Sequence, residues 1–360
     1  MQNTPSLIHQ VLLAFSNNNF TKHRDDLSAV LFTKEKYLWL GSDETSTLER
    51  LSLKENNQFG EHKQFRVANF INLPAPEEEE IDIEGLALNE HYLWLVGSHS
   101  YKRKKPKLDK SEEKNIKRLA KVESEPNRYF IGRIPYIDGE LFTSHPHPTE
   151  PQKILSAAKL EVTKNGNLLM EALVNDSHLG FFVQAAIPGK DNGFDVEGIT
   201  VYQNKIFLGL RGPVLRGWAI VLEIELEDSS PGLMKLKKIG EEGQRYKKYF
   251  LSLNGLGIRD IFFNGQEFII LAGPTMDLDG PVQVYSWKND GNLQDNILHY
   301  PKLVLDIPYG NRDDHAEGIT PYQDITGVPS LLVVYDSPSK KRLVGETGVM
   351  ADVFKLEATS

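Results

Sequence analysis

Residues 195–212 read DVEGITVYQNKIFLGLRG, and this stretch decides the fold because its pattern recurs along the chain. An acidic start is followed by a short apolar strand, a polar turn, and a second strand that ends near glycine. Two close copies precede it, DLSAVLFTKEKYLWLGS (26–42) and DIEGLALNEHYLWLVGS (82–98), and two fainter copies follow at 258–274 and 314–337. Because β-branched and aromatic residues flank each turn, every copy predicts a β-hairpin.

The spacing of these copies indicates a β-propeller. The equivalent points of the five copies are Ser28, Glu84, Glu197, Arg259 and Glu317. Successive points are separated by 56, 113, 62 and 58 residues. A period near 60 residues suits a four-stranded propeller blade with long loops. We therefore predict an all-β protein that forms a single β-propeller over residues 1–360, with five blades as the first choice and six as the alternative.

The long interval between the second and third copies could hold a sixth, degenerate blade, but two insertions explain it as well. Residues 102–128 carry 11 basic and 5 acidic groups with little apolar periodicity, which predicts a solvated loop or helical excursion. A second insertion covers about 141–190, and its segment 165–180 has apolar residues at helical spacing. The strand at 6–15 is predicted to complete the last blade and close the ring, which removes exposed sheet edges.

Composition excludes several classes of function. The chain has 41 basic and 50 acidic residues, a formal charge of −9, which argues against nucleic acid or an anionic membrane as a partner. No apolar run approaches the roughly 20 residues that span a bilayer, and the N-terminus lacks the features of a signal peptide. We therefore expect a cytoplasmic monomer. The absence of cysteine excludes disulfides and thiolate chemistry, and without a phosphate-loop or dinucleotide motif no organic cofactor is indicated.

The repeat also predicts a ring of charged residues at one mouth of the channel. In a propeller the inner strand of each blade starts on the face where the second strand ends. The residues that precede the inner strands are Asp25, Asp26, Asp82, Glu84, Asp195, Glu197, Arg259, Asp260, Asp313, Asp314, His315 and Glu317. The residues that end the second strands are Asp43, His99, Arg211 and Asp336. Carboxylates this close raise one another's pKa unless a cation, arginines or protonation compensate.

Two of these remedies define candidate sites. Oxygen ligands without cysteine suit Ca²⁺, or Mg²⁺ and Mn²⁺. The candidate metal ligands are Asp82, Glu84, Asp195, Glu197 and Glu317. Arginines could instead neutralise the acids and bind a small anionic ligand. The candidate ligand-binding residues are Arg211, Arg216, Arg259 and Asp260. His315 lies between carboxylates in RDDHAEG (312–318) and is the candidate general base, with Asp314 beside it.

A purely structural role is the alternative for each copy. An aspartate at the start of a strand often accepts hydrogen bonds from backbone N–H groups of the incoming loop. Gly85, Gly198 and Gly318 would then only allow the inner strands to pack closely around the axis.

The run KDNGFDVEGITVYQNKIFLGLRGPVLRGWAIVLEIE (190–225), with GIRDIFF (257–263), AGP (272–274) and HAEGIT (315–320), resembles an uncharacterised bacterial propeller family. That family is domain of unknown function 3616 (DUF3616). The resemblance covers essentially the whole chain and implies a β-propeller of bacterial origin, with no established activity. The D-x-E-G starts are distantly similar to those of phytase-like and esterase-like propellers, whose acidic mouths hold calcium. Their full calcium signatures are missing here, and Arg259-Asp260 replaces an acidic pair.

Three functions follow from these residues. The first is a metal-dependent hydrolase of a phosphoester, ester or lactone, in which the metal lowers the pKa of bound water and arginines stabilise developing negative charge. The second is a non-enzymatic propeller scaffold that binds a ligand or a protein at its mouth. In the third, the ring is structural and the partner surface lies on the 102–128 insertion.

Overall fold

The computed structural model describes residues 7–16, 21–240, 242–289, 293–323 and 328–356. Within these ranges the main strands pair into five antiparallel groups, and each group begins with one copy of the sequence repeat. Group 1 contains Leu27–Phe32, Tyr37–Ser42, Thr47–Lys54 and Gln58–Arg66. Group 2 contains Ile83–Asn89, Tyr92–Gly97, Ile131–Ile137 and Ala158–Leu160.

The remaining groups follow the same order from the inside outward. Group 3 contains Asp195–Tyr202, Lys205–Leu215 and the long strand Trp218–Ser230, which pairs on its outer side with both Leu233–Leu236 and Lys247–Ser252. Group 4 contains Gly257–Phe263, Glu267–Gly273, Val282–Lys288 and Lys302–Ile307. Group 5 contains His315–Gln323, Pro329–Asp336, Gly348–Lys355 and Leu7–Ala14.

The β-propeller prediction is confirmed. The five inner strands contact one another in cyclic order. Each inner strand contacts the inner strand of the next group, and the inner strand of group 5 contacts that of group 1. The N-terminal strand Leu7–Ala14 pairs antiparallel with Gly348–Lys355, so the two ends of the chain complete one group, as predicted. Residue 6, the first of that predicted strand, lies outside the described residues. The pairing of the described strands is the arrangement that five blades require, and the blade number stays a prediction.

Apolar side chains fill the spaces between neighbouring groups. Five clusters of buried residues, counted over the described residues, each draw on two groups that are adjacent in the cycle. Trp39 packs between groups 1 and 2, and Phe207 between groups 3 and 4. Sheets that bury both faces in this way read as nearly continuous apolar runs, which is why YLWL occurs at both 37–40 and 92–95.

Both insertions contain helices, which the sequence predicted for 165–180 and gave as one of two alternatives for 102–128. The charged insertion forms a short two-stranded ladder around the helix Glu112–Leu119, which has no buried residue. The second insertion contains Leu168–Leu173 and Gly180–Gln184. The other short elements are the helix Thr21–Asp25, the 3₁₀ turns Glu55–Asn57, Val67–Asn69 and Pro126–Tyr129, and the strands Lys102–Arg103, Val122–Glu123, Glu140–Leu141, Ser144–Pro146, Ile154–Ser156, Val162–Thr163, Gly166–Asn167, Leu298–His299 and Leu343–Val344. Among the described residues no helix has the length and apolarity needed to cross a membrane.

Each inner strand carries a register shift at the equivalent point of its repeat. In every case the strand pairing skips one residue between the two partners on either side. The skipped residues are Ser28, Glu84, Glu197, Arg259 and Glu317. A β-bulge leaves one residue unpaired and changes the direction of its side chain. The same local irregularity, repeated five times, therefore sets the positions of the ring residues.

The glycines after three of these bulges allow the inner strands to approach each other. A Cβ atom on Gly198 would lie 2.9 Å from the backbone nitrogen of Ile261. A Cβ atom on Gly85 would lie 2.8 Å from the backbone nitrogen of Ile199, and Gly318 is equally close to its neighbours. The structure thus gives these glycines the packing role that the structural alternative assigned to them.

Substitution of Gly198 tests this close packing. We expect Gly198→Ala to lower the free energy of unfolding by about 1–3 kcal/mol, because two backbone segments must separate to admit the methyl group. The measurement is the urea midpoint, with an unchanged slope. Gly60→Ala is the matched control, since the nearest atom to its Cβ would be Lys54 Cγ at 4.0 Å. Equal urea midpoints for the two variants would show that this contact does not set the distance between the inner strands.

Candidate functional site

One buried ion-pair network joins groups 3, 4 and 5 at the channel mouth. Arg211 pairs with both Asp195 and Glu197. Arg259 Nη1 lies 2.6 Å from Glu317 Oε1 and 3.3 Å from Glu197 Oε2. Glu197 therefore lies between two guanidinium groups, and the bulged residues of three neighbouring strands belong to a single network. This is the convergence of distant segments that the repeat predicted.

A second arginine site lies on the side of group 2. Arg128 pairs with Asp82, lies 2.9 Å from Glu80, and donates a 2.8 Å hydrogen bond to the hydroxyl of Ser100. Arg128 comes at the end of the charged insertion, in the 3₁₀ turn Pro126–Tyr129. The charge pattern of 102–128 predicted a solvated position for Arg128. Its position just before the strand Ile131–Ile137 was the one signal that could have placed it near the mouth.

Two carboxyl groups of the ring have no such compensation. In the part of the chain that the structure describes, the side chains of Glu84 and Asp43 have neither an ion pair nor a hydrogen bond. Burial raises the pKa of Glu84 well above its ordinary range, and the neighbouring Asp82, Glu197 and Asp43 raise it further, against the opposing effect of Arg211. Burial likewise raises the pKa of Asp43. Both groups are therefore biased toward the protonated form, which can donate a hydrogen bond.

Asp260 has a structural role in this arrangement. Its carboxylate accepts hydrogen bonds from the backbone nitrogens of Ile261, at 2.7 Å, and Ile319, at 2.8 Å. The second bond ties the inner strand of group 4 to that of group 5. Burial raises the pKa of Asp260 to about 8. Asp260 is buried and is not among the residues that line the cleft at the channel mouth.

A small cleft opens above the network, and Lys190 lies in it. The cleft has a volume of about 70 Å³, and its polar side includes Lys190, Arg211, Arg259, Glu317 and Asp336. Among the described residues Lys190 has no ion pair or hydrogen bond. Desolvation lowers the pKa of Lys190 and so does Arg211, but the carboxylates of Asp43, Glu317 and Asp336 outweigh them and raise it. Lys190 is thus a charged ammonium group.

Lys190 was not among the predicted site residues, because it lies in the loop before the third inner strand and not at a repeat position. The loop is folded tightly. Gly189 packs against the Asp195 carboxylate, and its backbone nitrogen donates a 3.0 Å hydrogen bond to the carbonyl of Tyr101. The glycines at 189 and 193, six and two residues before the strand begins at Asp195, were the available signal of a loop that approaches the mouth.

The predicted catalytic pair lies on the rim of the cleft. The side chain of His315 is 37% exposed, with Nδ1 4.0 Å from Asp336 Oδ2. Asp314 also lines the cleft, but its carboxylate accepts a 2.6 Å hydrogen bond from the backbone nitrogen of Ser339 and lies 2.9 Å from Arg342 Nε. His315 is accessible to a ligand, whereas Asp314 is held by the protein.

Two other predicted residues lie outside the cleft. Arg216 is exposed in the hairpin turn where Leu215 pairs with Trp218, and the structure does not bring it to the carboxylates. His99 is buried, and its ring nitrogens contact the carbonyl of Gly97 and the side chain of Asn167. Burial lowers the pKa of His99 to about 4, so the ring is neutral.

The acids predicted as metal ligands do not fit a metal centre in this arrangement. Asp82, Asp195, Glu197 and Glu317 each have an arginine partner, and Glu84 lies alone. Within the described ranges no group of three or more His, Asp or Glu side chains could hold a metal ion. Interleaved arginines are thus the compensation that the structure displays for these carboxylates.

Comparison with known proteins gives a family but no activity. The model of the family described as "Protein of unknown function (DUF3616)" matches residues 26–352. No curated protein matches the chain. Solved structures that resemble it include a streptogramin B lyase, with 11% identity over 98% of this chain and 100% of that one and a TM-score of 0.37.

Two further structures resemble the chain to a similar extent. The PQQ-bound aldose sugar dehydrogenase from Streptomyces coelicolor has 12% identity, covers 98% of each chain, and gives a TM-score of 0.38. A putative 6-phosphogluconolactonase from Bacteroides uniformis has 12% identity over 99% of this chain and 84% of that one, with a TM-score of 0.34. Similarity this low carries no argument about function.

The raised pKa of Glu84 predicts how stability depends on pH. An unfolded chain releases this proton near the ordinary pKa of 4.5, whereas the folded protein keeps it to higher pH. Between these values the folded state binds more protons, so this group makes the free energy of unfolding fall as pH rises. We expect Glu84→Gln to remove that fall, by at most about 1.4 kcal/mol per pH unit.

The measurement is urea unfolding of both proteins at several pH values from 5 to 8. The advantage of Glu84→Gln over the wild type should grow as pH rises. Glu171→Gln, in an exposed position of the helix Leu168–Leu173, is the control and should give a curve parallel to the wild type. A parallel curve for Glu84→Gln as well would contradict the assignment.

Proposed function

Because the chain belongs to the DUF3616 family, whose function is unknown, the site itself has to suggest an activity, and we propose that the channel mouth binds a small anionic ligand through Lys190. The observation that carries this proposal is the contrast between Lys190 and the arginines. Arg211 and Arg259 are held by carboxylates, whereas the ammonium group of Lys190 lines the cleft without a partner among the described residues.

The surroundings of Lys190 support an anion in spite of the many acids. Arg211 and Arg259 offset the carboxylates with which they pair. The ammonium groups of Lys190 and Lys105 are therefore the positive charges that the cleft offers to a ligand. Burial raises the pKa of Glu84, so this carboxyl group is biased toward the protonated form and adds little negative charge. A carboxylate or phosphate group at Lys190 would therefore meet fixed positive charge and hydrogen-bond donors.

The volume of the cleft sets the size of the bound group. About 70 Å³ is available in the cleft, well below the roughly 300–1,000 Å³ of pockets that enclose a drug-sized molecule. The space therefore suits one carboxylate or phosphate group. We call the cleft residues Arg211, Arg259 and Glu317 the charged floor. Any larger part of the ligand must lie outside it.

Thermal melts with inorganic phosphate and with acetate test the proposal. We expect either anion to raise the melting temperature of the wild type, because a ligand at about 100 times its dissociation constant adds roughly 2.7 kcal/mol to stability. Lys190→Ala should lose the response and Lys190→Arg should keep it. Since phosphate also stabilises proteins nonspecifically, each shift is compared with that of Arg216→Asn, which removes an exposed arginine outside the cleft and tolerates the positive φ of that turn.

Two results would contradict anion binding at Lys190. One is a response in Lys190→Ala as large as in the wild type. The other is a chelator-treated protein that ignores both anions but is stabilised by Ca²⁺, Mg²⁺ or Mn²⁺. The second result would mean that a cation displaces the arginines from the acids, and it would support the metal site that the sequence predicted.

Hydrolysis of an ester, lactone or phosphoester is the second candidate function. It is supported by His315, an accessible imidazole on the rim of the anion cleft. General acid–base catalysis by such a group contributes roughly 10²–10⁴-fold in rate. This function predicts turnover of 4-nitrophenyl acetate, gluconolactone or 4-nitrophenyl phosphate that falls at least tenfold in His315→Gln. Absence of turnover in the wild type, with and without divalent cations, would leave binding alone.

A further inference from the structure

Three large apolar side chains stand exposed on the rim of the same cleft. Met276 is 48% exposed, Leu278 is 51% exposed and Tyr309 is 52% exposed. All three line the cleft that contains Lys190. Isolated exposed apolar residues are common on protein surfaces, but apolar residues that join convergent polar groups in one cleft are typical of small-molecule sites. We call these three side chains the apolar wall.

The loops that carry the wall are fixed to the charged network. The guanidinium of Arg259 donates a 2.9 Å hydrogen bond to the carbonyl of Pro274, where the first loop begins. Met276 forms an isolated β-bridge with Asp191, the residue after Lys190. The position of the wall is therefore coupled to the ion pairs of the floor and to the loop of the free ammonium group.

The second loop is tied to the first. The backbone nitrogen of Arg312 donates a 3.0 Å hydrogen bond to Asp279 Oδ2, which connects the loop after Tyr309 to the loop of Leu278. A wall held at both ends loses little conformational entropy when a ligand covers it, which favours binding.

From this geometry we infer that the ligand is an amphipathic anion, with its charged head at Lys190 and an uncharged apolar tail against Met276, Leu278 and Tyr309. The inference rests on the proposed function, because Lys190 receives the head. The charged floor admits a single small group, so the rest of the ligand has to lie along the rim. Asp277 and Asp279 line the same rim and outnumber Lys105 there, which disfavours a second negative charge at the far end of the ligand.

Titration with straight-chain carboxylates tests the inference. The dissociation constants of acetate, butyrate, hexanoate and adipate are measured by NMR or calorimetry on the whole protein at constant ionic strength. We expect affinity to rise up to about fourfold for each methylene group that the wall covers, which corresponds to about 0.8 kcal/mol. Adipate, which has a second carboxylate at the far end, should bind at least tenfold more weakly than hexanoate.

Leu278→Ser tests the contribution of the apolar wall to affinity independently of the contribution of the head group. This variant should keep the acetate affinity of the wild type and lose most of the gain from acetate to hexanoate. Leu298→Ser is the matched control, because Leu298 is 50% exposed and lies outside the cleft. It should reproduce the chain-length dependence of the wild type.

The outcomes distinguish the inference from the function on which it rests. Failure of phosphate and of every carboxylate to bind, or binding that survives Lys190→Ala, would overturn both. Phosphate binding at Lys190 without any carboxylate binding would overturn the inference alone. Acetate binding without a chain-length dependence would overturn the inference alone. A chain-length dependence that is the same in Leu278→Ser as in the wild type would also overturn the inference, because the tail would then lie elsewhere.

Discussion

Burial of several carboxyl groups at the point where five inner strands meet is the constraint on which the mouth of this propeller depends. Asp82, Asp195, Glu197 and Glu317 are at most 9% exposed, and an isolated charge at such a depth would be strongly destabilising. The structure compensates with Arg128, Arg211 and Arg259, which reach the mouth from three different parts of the chain. Loss of one arginine would leave a buried carboxylate unpaired, so these contacts are strongly interdependent.

The bulges explain why so many charges collect in one place. In a regular strand, side chains alternate between the two faces of the sheet. The skipped residue of each inner strand breaks this alternation, and it does so at the same point in all five repeats. Where the skipped residue is Ser28, its hydroxyl instead donates a hydrogen bond to the carbonyl of Ile83 in the next group. The same β-bulge thus positions both the ring of charged residues and a contact between neighbouring inner strands.

The floor and the apolar wall of the cleft arise from different parts of the fold. The floor consists of repeat residues whose backbone is fixed by strand pairing, and its arginines are already committed to carboxylates. The wall and Lys190 come from connecting loops, which carry specificity in many folds because they can vary without disturbing the core. The floor is therefore set by strand pairing, whereas the residues of the rim can differ without disturbing the core.

Much of the architecture could be read from the chain alone. Repeated hairpins at nearly constant spacing predict a propeller because each copy is a local pattern of strand and turn residues, and the bulged positions were already the equivalent points of the repeat. Helical spacing in 165–180 and the charge of 102–128 predicted the insertions for the same local reason. The sequence therefore determined the structural features that depend on residues close together in the chain.

Tertiary structure decided the chemistry of the mouth, because it depends on which charges meet across separations of up to 62 residues in the sequence. Only the fold pairs Arg211 and Arg259 with the acids predicted to hold a metal, and directs Asp260 to the backbone of Ile319. Only the fold places Lys190, from a loop outside the repeat, beside Met276 and Tyr309. Periodicity cannot reveal such contacts, since their energy comes from distance and burial in three dimensions.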